Sequence, residues 1–287
     1  MKETALDSFH PLVAVVFFAA ALGLCMAAFQ PVYIALSWAA ACLYGVFLRG
    51  VGAVARTLVW QLPLVLIITV VNPLFSASGS TELFRIGLRA VYAESLFYGA
   101  CMGVMLMAMM QWFANAASVL SSDKLMAVLG NAAPTLALMI SMVGRLVPQC
   151  VARGRTIEAV QVACVAPGTQ TLREKTRQRL RLTSVMMGWS MEDSLETADS
   201  LRARGWGTHR QRTTYRRDRF RSSDGVALGL LVVCVALNVF LAAVACAQFQ
   251  FYPTSSVLTL WWGYIPYAVF VLAPLLLQAE EVLKWMR

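Results

Sequence analysis

Long apolar runs, broken by short polar stretches and once by a long charged one, set the rhythm of the chain. Nearly uncharged runs cover 12–29, 32–48, 57–75, 95–113, 226–247 and 258–277. None holds Asp, Glu, Lys or Arg in its interior. About 18 to 20 such residues suffice to cross the hydrocarbon core of a bilayer as a helix. The pattern therefore predicts an all-α integral membrane protein with six transmembrane helices. Residues 1–113 form an N-terminal membrane domain of four spans, 114–223 an inserted polar domain, and 224–287 the last two membrane helices. The first run reads as a retained span, because Glu3 and Asp7 accompany Lys2 in its flank, and no charged mature domain follows as it would after a signal peptide.

The inserted segment, roughly 110 residues, is too long for a plain connector. It opens with SSDKLMAVLGNAAP, where Ser122 or Asp123 can cap a short helix with Leu125, Met126 and Leu129 on one face. Pro134 and Pro148 then bracket an apolar stretch. Thirteen helical residues reach only about 20 Å, so this piece is expected to pack under or partly into the membrane, with a seventh span as the alternative. The stretch 149–166 permits helix and stops at Pro167-Gly168. A longer helical pattern follows from Thr171 to Ala203. Its first half carries Arg173, Lys175, Arg177, Arg179 and Arg181; its second half spaces Met187, Met191, Leu195, Ala198 and Leu201 by three or four.

Composition and charge agree with this division. Of 287 residues 59% are hydrophobic and 14% charged, against roughly 25% charged in globular domains. Residues 114–223 hold 17 of the 24 Lys and Arg and 8 of the 15 Asp and Glu, a net of +9, while the remainder is balanced. The positive-inside rule puts such a segment in the cytoplasm of a plasma-membrane protein, with both termini on the same side. Seven cysteines show no CxxC spacing, and His10 and His209 are far apart in sequence. No nucleophile motif, phosphate-binding glycine loop or set of intramembrane carboxylates appears, which argues against a membrane enzyme. The absence of ionisable residues in span interiors and of repeated halves argues against a self-contained secondary transporter.

The chemistry that stands out is at the end of the long polar helix, in SLRARGWGTHR. Gly205 suits the left-handed position that follows a helix C-terminus. Arg204 before it has two readings. Its guanidinium can satisfy the last carbonyls of its own helix, or its planar fork of donors can project from the tip toward a carboxylate on a partner.

The chain resembles the transmembrane T component of energy-coupling factor transporters, importers of vitamins or of cobalt and nickel ions. That family carries Ala-Arg-Gly at the ends of two cytoplasmic coupling helices. Ala203-Arg204-Gly205 matches the second motif, followed by Trp206 and by RTTY at Arg212–Tyr215. RLVP at Arg145–Pro148 is similar to the lead into the first coupling helix, and EAVQVACV at Glu158–Val165 echoes the residues around the first motif. NPLF at Asn72–Phe75, Gly79, Thr81 and FYG at Phe97–Gly99 are similar to the family's middle region. Counted from Pro148, the first motif falls on Ala163, Cys164 and Val165, with Cys164 in the arginine position. Ala152-Arg153-Gly154 is the same tripeptide at the wrong place and reads as coincidence.

The resemblance implies a non-catalytic subunit that passes ATPase motion to a substrate-binding membrane subunit. Its partners would be two ATP-binding-cassette ATPase subunits, that substrate-binding S component and membrane lipid, with no nucleic acid. ATP and magnesium would belong to the ATPases, leaving this chain without cofactor, metal or catalytic residue.

Overall fold

The computed structural model describes residues 9–75, 80–86, 89–164, 172–206, 220–251 and 261–285. Its elements are α1 (Pro11–Ala27), α2 (Pro31–Arg49), α3 (Val51–Phe75), β1 (Glu82–Ile86), β2 (Arg89–Tyr92), α4 (Ala93–Val119), α5 (Ser122–Ala132), α6 (Pro134–Cys164), α7 (Leu172–Ala203), α8 (Ser222–Gln248) and α9 (Tyr264–Trp285). The chain divides into two compact units, Met1–Leu125 with Asp218–Arg287, and Met126–Arg217.

Among the described residues five helices are long and apolar enough to cross a membrane: Pro31–Arg49, Val51–Pro73, Ala93–Val119, Thr135–Gln161 and Ser222–Gln248. Pro11–Ala27 and Tyr264–Gln278 are shorter apolar helices. This set differs from the six expected runs. The first and last fall among the shorter helices, and a helix expected to end at Pro148 joins the longer ones. α6 runs through Pro148 without interruption. A proline lacks the N–H that would bond the carbonyl four residues back and crowds it. Here that residue is Gly144, which is exposed and leaves its freed carbonyl open to the surroundings. The turns on either side keep their own hydrogen bonds, so the helix continues.

The first unit is organised around α4, which packs on α1, α2 and α3, while α2 also meets α9, and α1 meets α8. The α3–α4 pair is close because α4 turns small residues toward α3. A Cβ on Gly103 would stand 2.8 Å from Val65 Cγ1, and one on Gly99 would stand 3.0 Å from Asn72 Cβ. In lipid, where apolar burial drives little, such close approach supplies the packing energy. NPLF and FYG, separate in sequence, are thus one contact, and Asn72 Nδ2 donates to Ser95 O at 3.2 Å across it.

On its other side α4 contributes to an aromatic core. Trp112 is fully buried, with Phe17 and Phe18 at 6.2 and 6.3 Å in edge-on arrangements. Polar stitches tie the same face of α4 to α2. Trp112 Nε1 donates to Ser37 Oγ at 3.1 Å, Asn115 Nδ2 to Ala41 O at 2.8 Å, and Arg49 Nη2 to Asn115 Oδ1 at 2.9 Å. These residues explain why α4 continues to Val119, past the expected limit of 113. The helix is still filling the core there, with Asn115, Ala116 and Val119 buried. α3 likewise starts earlier than expected, at Val51, because Gly50 alone turns the chain out of α2 at φ +84°.

Among the described residues a departure from a purely helical fold lies between α3 and α4. β1 and β2 pair antiparallel, with Arg85 opposite Ala90 and Ile86 opposite Arg89. The hairpin is tied to the start of α4 by Glu94, which is buried and accepts from Ser80 Oγ at 2.9 Å and from Thr81 Oγ1. Near the other end of the unit Asp224 accepts from Arg221 N at 2.9 Å and from the His10 backbone at 3.3 Å, binding the entry of α8 to that of α1. Asn238 Nδ2, inside α8, donates to Cys234 O of its own helix at 2.9 Å. Asn238 is 1% exposed.

Candidate functional site

The second unit is built from α6 and α7, and the direction of their pairing follows from their contacts. Arg153 meets Asp193, and a Cβ on Gly154 would stand 3.3 Å from Met186 Sδ. A groove of about 640 Å³ continues from that crossing, lined by Arg145, Leu146 and Gln149 of α6 and by Thr197, Leu201 and Arg204 of α7. Numbers fall along one helix as they rise along the other, so the pair is antiparallel and the two C-terminal tips lie on opposite sides of the crossing.

The crossing is held by polar chemistry. Arg153 Nη1 and Nη2 donate to the two Asp193 oxygens at 3.2 and 3.3 Å, a side-on fork, and its guanidinium lies 5.8 Å from the Trp189 ring. Both partners are about one-third exposed, so solvent screens the pair to about 1 kcal/mol or less. Its value is registry. Arg153-Gly154 looked coincidental in the sequence, and nothing local marks it, because its partners stand about forty residues away. The face of α7 turned toward α6 is half-buried Gln178, Leu182, Met186, Ser190 and Asp193. The stripe of Met187, Met191 and Leu195 is 65–72% exposed.

The tip of α7 is set by backbone. Trp206 N donates to Leu201 O at 3.0 Å, Gly205 N to Arg202 O at 2.9 Å, and Arg204 N to Ser200 O at 3.1 Å. The first two bonds define a Schellman close, with Arg204 at the cap and Gly205 left-handed at φ +79°. Amide groups thus satisfy three of the last carbonyls. The Arg204 side chain is not needed for them, is exposed, and makes no hydrogen bond or ion pair with the described residues.

The tip of α6 ends on Ala163 and Cys164, the latter exposed, while Val165 lies outside the described residues. So do Gly79, the RTTY segment and His209. Arg145, of RLVP, sits inside α6, exposed on the wall of the groove. Cys164 is eleven residues beyond Arg153, and Arg204 is eleven beyond Asp193. At 1.5 Å per residue each tip projects about 16 Å from the ion pair along its helix. The two motif positions are therefore equidistant from the crossing and point opposite ways.

The methionines of α4 divide between roles. Met107 is buried, Met105 packs beside the Ile34 and Phe251 cluster, and Met110 is 45% exposed in a shallow apolar groove with Leu106, Met109 and Phe113. When the chain was compared with known proteins, no family model matched it and no curated protein matched it.

Proposed function

We propose that the protein is the energy-coupling membrane subunit of an importer of the energy-coupling factor type. On this reading residues 114–223 lie in the cytoplasm of a plasma-membrane protein whose termini face the same side, and six helices, α1–α4, α8 and α9, span the bilayer. α6 and α7 act as coupling helices on two ATP-binding-cassette ATPase subunits. A rocking of α6 against α7 carries ATPase closure to a separate substrate-binding membrane subunit, which takes the vitamin or metal ion. ATP and magnesium act on the ATPases, and this chain contributes no catalytic group.

The observation that carries the reading is the unemployed guanidinium of Arg204 at a backbone-closed helix tip. A planar fork held at the end of a rigid helix is suited to a carboxylate-lined pocket. The equal reach of Cys164 and Arg204 from the crossing supports two docking points, one per ATPase. Cys164 cannot offer a charge-assisted contact, so the α7 tip carries the stronger of the two. The loss of a charged partner at a buried carboxylate costs about 2–5 kcal/mol. Arg204→Ala should therefore weaken ATPase co-purification by thirty-fold or more, about 2 kcal/mol or above, and stop uptake while the protein still inserts. Arg204→Lys should rescue in part. Full ATPase retention and uptake with Arg204→Ala would refute the assignment.

A further inference from the structure

α7 presents a second surface that neither its contact with α6 nor its tip employs. Arg173, Arg177 and Arg181, then Ser184, Met187, Met191, Leu195, Ala198 and Arg202, follow one another at intervals of three or four and so share one stripe of the helix. The three leading arginines are exposed, and Met187, Met191 and Leu195 are 65%, 72% and 69% exposed. No residue of α7 is buried. The acids Glu192, Glu196 and Asp199 run along the adjoining flank, and Asp193 is taken by Arg153.

Two features of the stripe call for an outside partner. Arg173, Lys175, Arg177, Arg179 and Arg181 crowd five cations into the first ten residues of the helix, with Glu174 the one acid among them, a density of like charge that favours an anionic partner. The apolar half, meanwhile, leaves Met187, Met191 and Leu195 open on a mostly polar helix that lies outside the six apolar runs. We propose that this stripe lies on an anionic membrane surface. The arginines would meet headgroup phosphates, and Met187, Met191 and Leu195 would enter the headgroup–acyl boundary. Diffuse negative charge suits three arginines spaced along a helix better than a single carboxylate does. A chain anchored in the bilayer by its apolar helices also delivers α7 to that surface without a separate binding step. The surface is distinct from the Arg204 tip, and the inference does not depend on the importer reading.

A genetically encoded fluorescent amino acid at Met191 in the full-length protein, reconstituted alone in nanodiscs, provides the test. Discs of phosphatidylglycerol brominated on the acyl chains should quench it, whereas discs of brominated phosphatidylcholine should quench it far less, and high salt should release it. Each arginine near an anionic surface contributes about a fivefold preference. The variant R173A/R177A/R181A should therefore shift the docked-to-free ratio about a hundredfold toward free. The same fluorophore at Glu196, on the flank, should escape quenching in every disc. The lipid comparison on the parent protein needs no substitution, so a poorly folding variant does not weaken the test. No quenching in phosphatidylglycerol, or equal quenching in both lipids, would overturn the proposal. Shielding of Met191 from aqueous iodide without bromolipid quenching, seen only when protein partners are added, would assign the stripe to a protein instead.

Discussion

The two units differ in whether they bury a core of their own. The first packs an aromatic core, with Phe17, Phe18, Tyr44, Trp112 and Tyr267 all buried and glycines letting α3 and α4 approach closely. It leaves Trp60, Leu66 and Phe240 exposed on helices apolar enough to cross a membrane. Where polar groups enter this unit, several are stitched, as Ser37, Asn115 and Arg49 are. The second unit buries nothing of α7 and keeps its two long helices together through an ion pair about one-third exposed and a glycine crossing. A close-packed set of helices defines a shape by itself. A crossed pair with open apolar faces leaves its two tips and much of its side-chain surface uncovered. Under the proposed function the first unit would serve as scaffold and the second as transmitter.

The sharpest test of the contrast is Trp112→Ala. Removing a fully buried tryptophan from a close-packed core costs about 3–5 kcal/mol, so the variant should show a markedly lower midpoint of thermal unfolding in detergent than the parent. An unchanged midpoint would mean that the first unit is no better packed than the second. Gly103→Val comes next. Its new side chain starts 2.8 Å from Val65 Cγ1, and overpacking of this kind costs about 1–3 kcal/mol. Stability should fall, and spin labels on α3 and α4 should move apart.

Asp193→Asn should have the smallest effect on stability, about 1 kcal/mol or less, since the pair it breaks is partly exposed. It should nonetheless broaden the distribution of distances between labels at Cys164 and Arg204, measured by pulsed electron resonance. A narrow, parent-like distribution would show that the Arg153–Asp193 pair does not set the register of α6 on α7.

Much of this was legible along the chain. Gly205 after Arg204 announced the helix end to the residue, and the extent of α7, expected at 171–203, is found at 172–203. That success is local: a helix of polar residues with a glycine stop is written in consecutive positions. α6 was misjudged at Pro148 because a proline inside a helix removes one hydrogen bond without always ending the helix, and the carbonyl it frees here, on exposed Gly144, is open to the surroundings. The hairpin at 82–92 was missed because its strands are short. The buried carboxylate of Glu94 that ties it to α4 finds its partners, Ser80 and Thr81, more than a dozen residues back.

By itself the sequence determined the apolar helices, the segregation of the +9 net charge into one segment, and the glycine-closed tip carrying Arg204. Each depends on residue type at short spacing, where hydrophobic period, charge count and backbone freedom decide. Only the tertiary structure decided which face of α7 meets α6, that Arg153 rather than an apolar stripe holds the crossing, and that Cys164 and Arg204 stand at equal reach on opposite sides of it. Those outcomes rest on pairings between residues some forty positions apart. A periodic pattern shows that a helix has an apolar face, but the partner's side chains choose which face is covered.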